Sequence, residues 1–157
     1  DDTQGSKECF AGDNVMATTE TPNRIFKLCV ASELEAFKEG GKVLSSLDKA
    51  DGFVHLSDRT SGPTVASLFF KEAKDLRLIE LAADKLPGNV TWVTAKMGDA
   101  VPENFSGLKG GELGIHYLVP DGCVHVYGPD GVPMSAMVRE EHVPLGDDGK
   151  HVFPAWL

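Results

Sequence analysis

Lys27, His55, Glu80, His125 and Tyr127 are the residues of this chain whose types and settings suit chemistry. Each lies in a short run of apolar, β-forming residues, where side chains alternate between the two faces of a strand. In residues 53–57 (FVHLS), Phe53, His55 and Ser57 share one face, and Val54 and Leu56 share the other. In residues 123–127 (CVHVY), Cys123, His125 and Tyr127 share a face. Glu80 falls with Leu76 and Leu78 in LRLIELA, and Lys27 with Ile25 and Cys29 in RIFKLCV. If these faces coincide, two imidazoles, a carboxylate, an ammonium and a phenol line one cleft. Such groups exchange protons near neutral pH, each shifting its neighbours' pKa. An antiparallel sheet with one solvated face produces the same alternation for structural reasons. Both explanations stand at this point.

Other candidate motifs are incomplete. Cys123-x-His125, with His116 and His55, offers zinc-type ligands, but no second closely spaced pair exists and no metal is expected. Ser57 lacks the Gly-x-Ser-x-Gly setting of an elbow nucleophile. Gly107-Leu108-Lys109-Gly110-Gly111 does not match a phosphate loop. His142 and His151 sit in turn-rich sequence and are expected at the surface. Cys9, Cys29 and Cys123 contain no Cys-x-x-Cys and are too few for a disulfide scaffold. Reduced thiols are expected, with a single bridge involving Cys9 as the alternative.

The elements that must position these residues follow from local signals. Residues 24–30 read as a strand. Ser32-Glu33-Leu34-Glu35 has the spacing of a capping box and predicts a helix to about Glu39, stopped by Gly40-Gly41. Asp51-Gly52 marks a turn before the 53–57 strand. Ser61 and Pro63 start a second helix carried by Val65, Leu68 and Phe69. Strands are predicted at 76–82, 90–94, 115–118, 123–127 and 134–139. The order predicts an α+β fold: a compact, mainly antiparallel sheet with two short helices. Residues 1–23 read as an acidic N-terminal arm, 24–145 as the domain, with a Gly-rich surface insertion at about 96–122, and 146–157 as a tail. Phe153 and Trp156 are expected to pack that tail onto the domain.

The 157 residues fit one domain, and 41% hydrophobic with 25% charged residues is ordinary globular composition. A net charge of -9 argues against nonspecific nucleic-acid binding, which needs cations to displace counterions from phosphates, and against anionic lipid surfaces. No stretch approaches the ~18 apolar residues of a membrane helix. In the arm, Asp1, Asp2, Glu8, Asp13 and Glu20 stand against Lys7 alone, which points to a basic partner surface. The chain opens on Asp1-Asp2 instead of Met, as expected of a removed targeting peptide or a trimmed sequence.

The blocks RIFKL (24–28), DGFVHLSD (51–58), LRLIEL (76–81), the strand around Trp92, and HVYGP (125–129) resemble domain-of-unknown-function family 952. That family's pattern runs "DGFIHLS", a "LLEID"-like strand, "RWE" and "FPHLYGPL". The resemblance covers about residues 24–145. It carries over Lys27, His55, Ser57, Glu80, His125 and Tyr127, and it implies a fold like that of the ADP-ribosyltransferases. Those enzymes split the nicotinamide–ribose bond of NAD through an oxocarbenium-like transition state. By that analogy Lys27 stands where a ribose-binding His often sits, His55 and Ser57 in the second motif, and His125 or Tyr127 in the third. This sequence departs from the pattern at Val93, where the family has Glu, at SDRTSGP (57–63), and in the long stretch from Met97 to Gly122.

These departures, with the arm, point first to an accessory or interaction subunit of a larger organellar assembly, possibly photosynthetic, with no cofactor. Its contacts would be the arm and the 96–122 insertion, its compartment a plastid or mitochondrion, otherwise the cytoplasm. The alternative is a small NAD-dependent transferase or nucleotide-binding enzyme. There Lys27, His55, Glu80, His125 and Tyr127 would be catalytic, with Ser57 and Phe53 on the cofactor. A small-metabolite binding module is a third possibility.

Overall fold

The computed structural model describes residues 20–157. Almost all of the 1–23 arm, and Cys9 with it, lies outside the described residues. The elements run β1 (Arg24–Val30), α1 (Ala31–Gly40), β2 (Lys42–Val43), α2 (Ser46–Asp51), β3 (Val54–Ser57), α3 (Gly62–Phe69) and β4 (Leu76–Ala82). There follow β5 (Asn89–Ala95), β6 (Glu112–Leu118), β7 (Cys123–Tyr127), β8 (Val132–Pro133) and β9 (Met137–His142), with short 3-10 turns between. A 7-stranded sheet has the order β5-β6-β7-β3-β1-β4-β9, and β2 pairs with β8 separately. The α+β class, with its mainly antiparallel sheet, is as expected. No helix among the described residues is long and apolar enough to cross a membrane.

Besides the unpredicted two-residue strands β2 and β8, three elements differ from expectation. The first is α2, which follows Ser45 and was not predicted. Its 6 residues are too few to show a helical period, and only the Ser45/Asp48 capping box marks it. The second is the C-terminal strand. Residues 134–136 form a 3-10 turn, and the strand starts at Met137.

The third corrects the surface insertion at 96–122. Within it, Glu112–Leu118 is an almost wholly buried central strand, parallel to β5 and antiparallel to β7. Parallel partners cannot be joined by a tight turn and need a crossover of a dozen or more residues. Residues 96–111 are that crossover. Gly110, Gly111 and Gly114 hid the start of β6 from a reading by β propensity.

The sheet is covered on both faces. On one, α1 inserts Leu34 and Phe37 among Ile25, Cys29, Ile79, Leu81, Val124 and Val126. On the other, Phe26, Leu28, Leu76 and Leu78 pack under Ala66 of α3 and under Phe153, Trp156 and Leu157 of the tail. This second cover spans only the β1–β4 half. Over β3, β7 and β6 the same face carries Phe53, His55, His125, Tyr127 and His116.

Candidate functional site

Register explains why the histidines meet. His55 lies opposite His125 on β7, and His125 lies opposite His116 on β6, so all three stand in one row. The His55 and His125 ring centroids are 5.6 Å apart. Phe53, one alternation before His55, lies 4.4 Å from the His55 ring, 4.3 Å from His125 and 5.1 Å from Tyr127. All four are half-buried. Phe105, from the crossover, closes the far side at 5.6 Å from Tyr127. It can seat there because residue 114 is glycine: a Cβ at that position would fall 2.5 Å from the Phe105 ring.

His55 is held from below by Asp48, whose side chain is fully buried. The Asp48 carboxylate accepts the His55 backbone N–H at 2.9 Å and the His55 Nδ1–H at 2.7 Å. A carboxylate can only accept, so the proton of that second bond sits on Nδ1. Asp48 also closes the capping box by accepting from Ser45 N at 2.8 Å. Lys27 Nζ completes the cluster, reaching both Asp48 oxygens at 3.0 and 2.9 Å and the His55 carbonyl at 2.9 Å. β1 and β3 share one paired position, Phe26 with Ser57, and Lys27 and Asp48 take up the His55 backbone groups beyond it. The outer edge of the His55 ring, Nε2, stands 2.9 Å from the exposed Asp51.

Electrostatics separates these groups. Burial alone would raise Asp48, but the His55 hydrogen bond, the Lys27 charge and the Ser45 and His55 backbone N–H groups hold it well below the usual carboxylate range. Burial, then the neighbouring His55 and His116, pushes His125 down to about 4, so at neutral pH it is an uncharged imidazole. Tyr127 is raised by burial and by Asp51, and stays a phenol. Cys123, the neighbour of Ser57 across the β3–β7 ladder, is raised by burial and by Asp121 and Asp58. It is a thiol, not a nucleophilic thiolate. The arrangement suits proton transfer and ring stacking better than covalent catalysis.

Of the residues singled out in the sequence, Phe53, His55, His125 and Tyr127 come together. Ser57 lies on the same face one alternation further along β3, buried opposite Cys123. Lys27 does not line the cleft. It alternates onto the opposite face with Ile25 and Cys29, and all three of its N–H donors are spent on Asp48 and His55. Glu80 does not join it either. Glu80 pairs across to Phe26, and Phe26 to Ser57, so the carboxylate lies two strands away, about 10 Å, with the Phe26 ring between. There it accepts from Arg24 Nε and Nη2 at 3.0 Å each and from Arg139 Nε at 2.8 Å. That clamp also holds Trp156, whose backbone carbonyl accepts from Arg24 and whose ring lies 4.4 Å under Arg139.

Sequence reasoning missed Asp48, Asp51 in any role beyond its turn, and Phe105. Asp48 had a signal in Ser45-x-x-Asp48 just ahead of the Asp51-Gly52 turn. Phe105 had none, since its partner is a glycine on another strand. Asp58, at the end of the same block, is structural: it accepts from Tyr117 Oη at 2.8 Å and from the backbone N–H groups of Thr60 and Ser61. Among the described residues no His, Cys, Asp or Glu group has the geometry to hold a metal.

Comparison with known proteins places this site in a family context. The model of a family described as a protein of unknown function (DUF952) matches residues 28–140. No curated protein matches the chain. The crystal structure of protein CC0527 from Caulobacter crescentus is 25% identical, with a TM-score of 0.56, covering 82% of this chain and 92% of that one. The solution structure of CC0527 gives a TM-score of 0.51 at 23% identity, covering 82% and 91%, a likeness of fold.

Proposed function

This chain belongs to the DUF952 family, and from that premise we propose that it handles a nucleotide-type small molecule, with His55 as acid–base residue. The observation that carries this is the His55 imidazole, fixed through Nδ1 by buried Asp48 and still 27% exposed beside an uncharged His125. An Asp-oriented imidazole in a partly open cleft is a common arrangement for moving a proton at neutral pH. Phe53 and Tyr127 offer ring faces for a planar base, and His125 and the Tyr127 hydroxyl offer hydrogen bonds to sugar or carbonyl groups. NAD, which the ADP-ribosyltransferase-like resemblance implies, has such a base and is the ligand to try first. Neither Lys27 nor Glu80 takes part directly in this scheme. Lys27 fixes Asp48, and the carboxylate at the outer edge of the site, Asp51, is hydrogen-bonded to His55 Nε2.

A docking subunit was the other expectation. Its arm lies outside the described residues, and burial of β6 reduces its second contact to residues 96–111. Those residues also carry Phe105, which walls the histidine cleft, so their placement favours the ligand-handling role.

Calorimetric titration with NAD, together with an assay for nicotinamide release, tests the proposal. Saturable binding is expected, weakened at least about tenfold by Phe53→Ala, with release abolished by His55→Gln. No heat of binding at millimolar NAD, or variants that bind and react like the parent protein, would overturn it.

A further inference from the structure

At the edge of the histidine site, the ends of β3 and β7 floor a cavity of about 260 Å³ whose lining includes Phe53 and Asp48. Val43, Val54 and Val126 supply apolar walls, Pro129 and Gly131 come from the turn after β7, and Lys42 and Lys49 stand at its margin. Neither lysine forms a salt bridge among the described residues. Asp48 is the only carboxylate in the lining, and its oxygens are already taken by Lys27, Ser45 and His55. The Lys42 stem is seated over Gly131, where a Cβ would meet its Cδ at 3.8 Å. In a chain of net charge -9, the long-range field repels anions, so two uncommitted ammonium groups facing one apolar hollow are a local reversal of that field.

We propose that this cavity is a second binding site, for a small organic anion whose compact apolar body rests on Leu44 and Pro129 while a carboxylate or phosphate head meets Lys42 and Lys49. The volume is below that of most drug-sized ligand pockets and suits a single ring or a short chain. Lysine acts as a point charge with rotatable donors, which accommodates either head group. The cavity adjoins the histidine site and shares Phe53 and Asp48 with it, but Lys42 and Lys49 take no part in that site and test this proposal independently.

The test is NMR titration of the full chain with benzoate, phenyl phosphate and the uncharged benzamide, following the Gly128 and Gly131 amide signals. Saturable shifts are expected with one or both anions and not with benzamide; the stronger of the two identifies the head group. Lys42→Gln with Lys49→Gln should weaken binding roughly tenfold or more, while Lys150→Gln leaves it unchanged. Because both lysines are exposed, the double variant is expected to fold, and its melting temperature checks that. Equal binding of benzamide, equal binding by the double variant, or no saturable shift with either anion overturns the proposal.

Discussion

Asp48 Oδ1 accepts twice from His55, from the ring Nδ1–H at 2.7 Å and from the backbone N–H at 2.9 Å. One buried carboxylate thus sets both the orientation of the imidazole and the path of the strand that carries it. Lys27 neutralises that carboxylate from the other side of the sheet. The consequence is that residues of α2, β1 and β3 behave as one unit.

Asp48→Ala leaves the Lys27 ammonium buried without a counter-charge and is expected to cost about 3–5 kcal/mol of stability. Lys27→Met in the same protein removes the orphaned charge. The double variant should therefore be more stable than the sum of the single changes by about 1–3 kcal/mol. Urea denaturation of the four proteins measures the cycle, and additive losses would contradict a coupled unit.

His125 is lowered from 6.5 to about 4 in the folded protein. A depressed pKa means that the folded state favours the neutral form. Its contribution is complete above pH 6.5 and is lost as pH falls from 6.5 toward 4. Asp48 and Glu80 are held below the usual carboxylate range by their hydrogen bonds from His55 and Arg24, so their contributions are lost only in more acid solution. Stability should fall in two stages. His125→Gln should flatten the first stage and leave the second, as read from melting temperatures between pH 7 and 3.

Gly114→Ala drives a Cβ against the Phe105 ring and should destabilise by about 1–3 kcal/mol. Phe105→Leu, which shortens the obstructing ring, should recover part of that loss in the double variant. Thermal melts of the three variants decide it. Equal losses in Gly114→Ala with and without Phe105→Leu would show that Phe105 is not what fills the space.

Glu80→Gln removes the charge that holds Arg24 and Arg139 over the C-terminal tail. The arginines are partly exposed, so the expected cost is modest, about 1–2 kcal/mol. The tail around Trp156 should become more susceptible to proteolysis while NAD affinity is unchanged. Loss of NAD binding with an intact tail would return Glu80 to the cleft.

The pairing of β7 with β3 was legible only in part. Alternation assigned Phe53, His55 and Ser57 to one face and His125 and Tyr127 to another, because a strand's two-residue period is local. Nothing local indicated which strands are neighbours. Glu80 and Lys27 alternate as clearly as His55, yet β1–β4 pairing sets one beyond Phe26, and the other points to the far side of the sheet.

By itself, the amino-acid sequence determined the α+β class, most strand positions, the acidic balance and the family blocks around His55 and His125. These depend on propensity, period and motif, all readable within about ten residues. Only the tertiary structure decided that Asp48 and not Glu80 is the carboxylate of the histidine site, that Phe105 walls it, and that residues 112–118 lie in the core. Those outcomes depend on strand register and on a glycine's missing Cβ, which arise from contacts between residues distant in the chain.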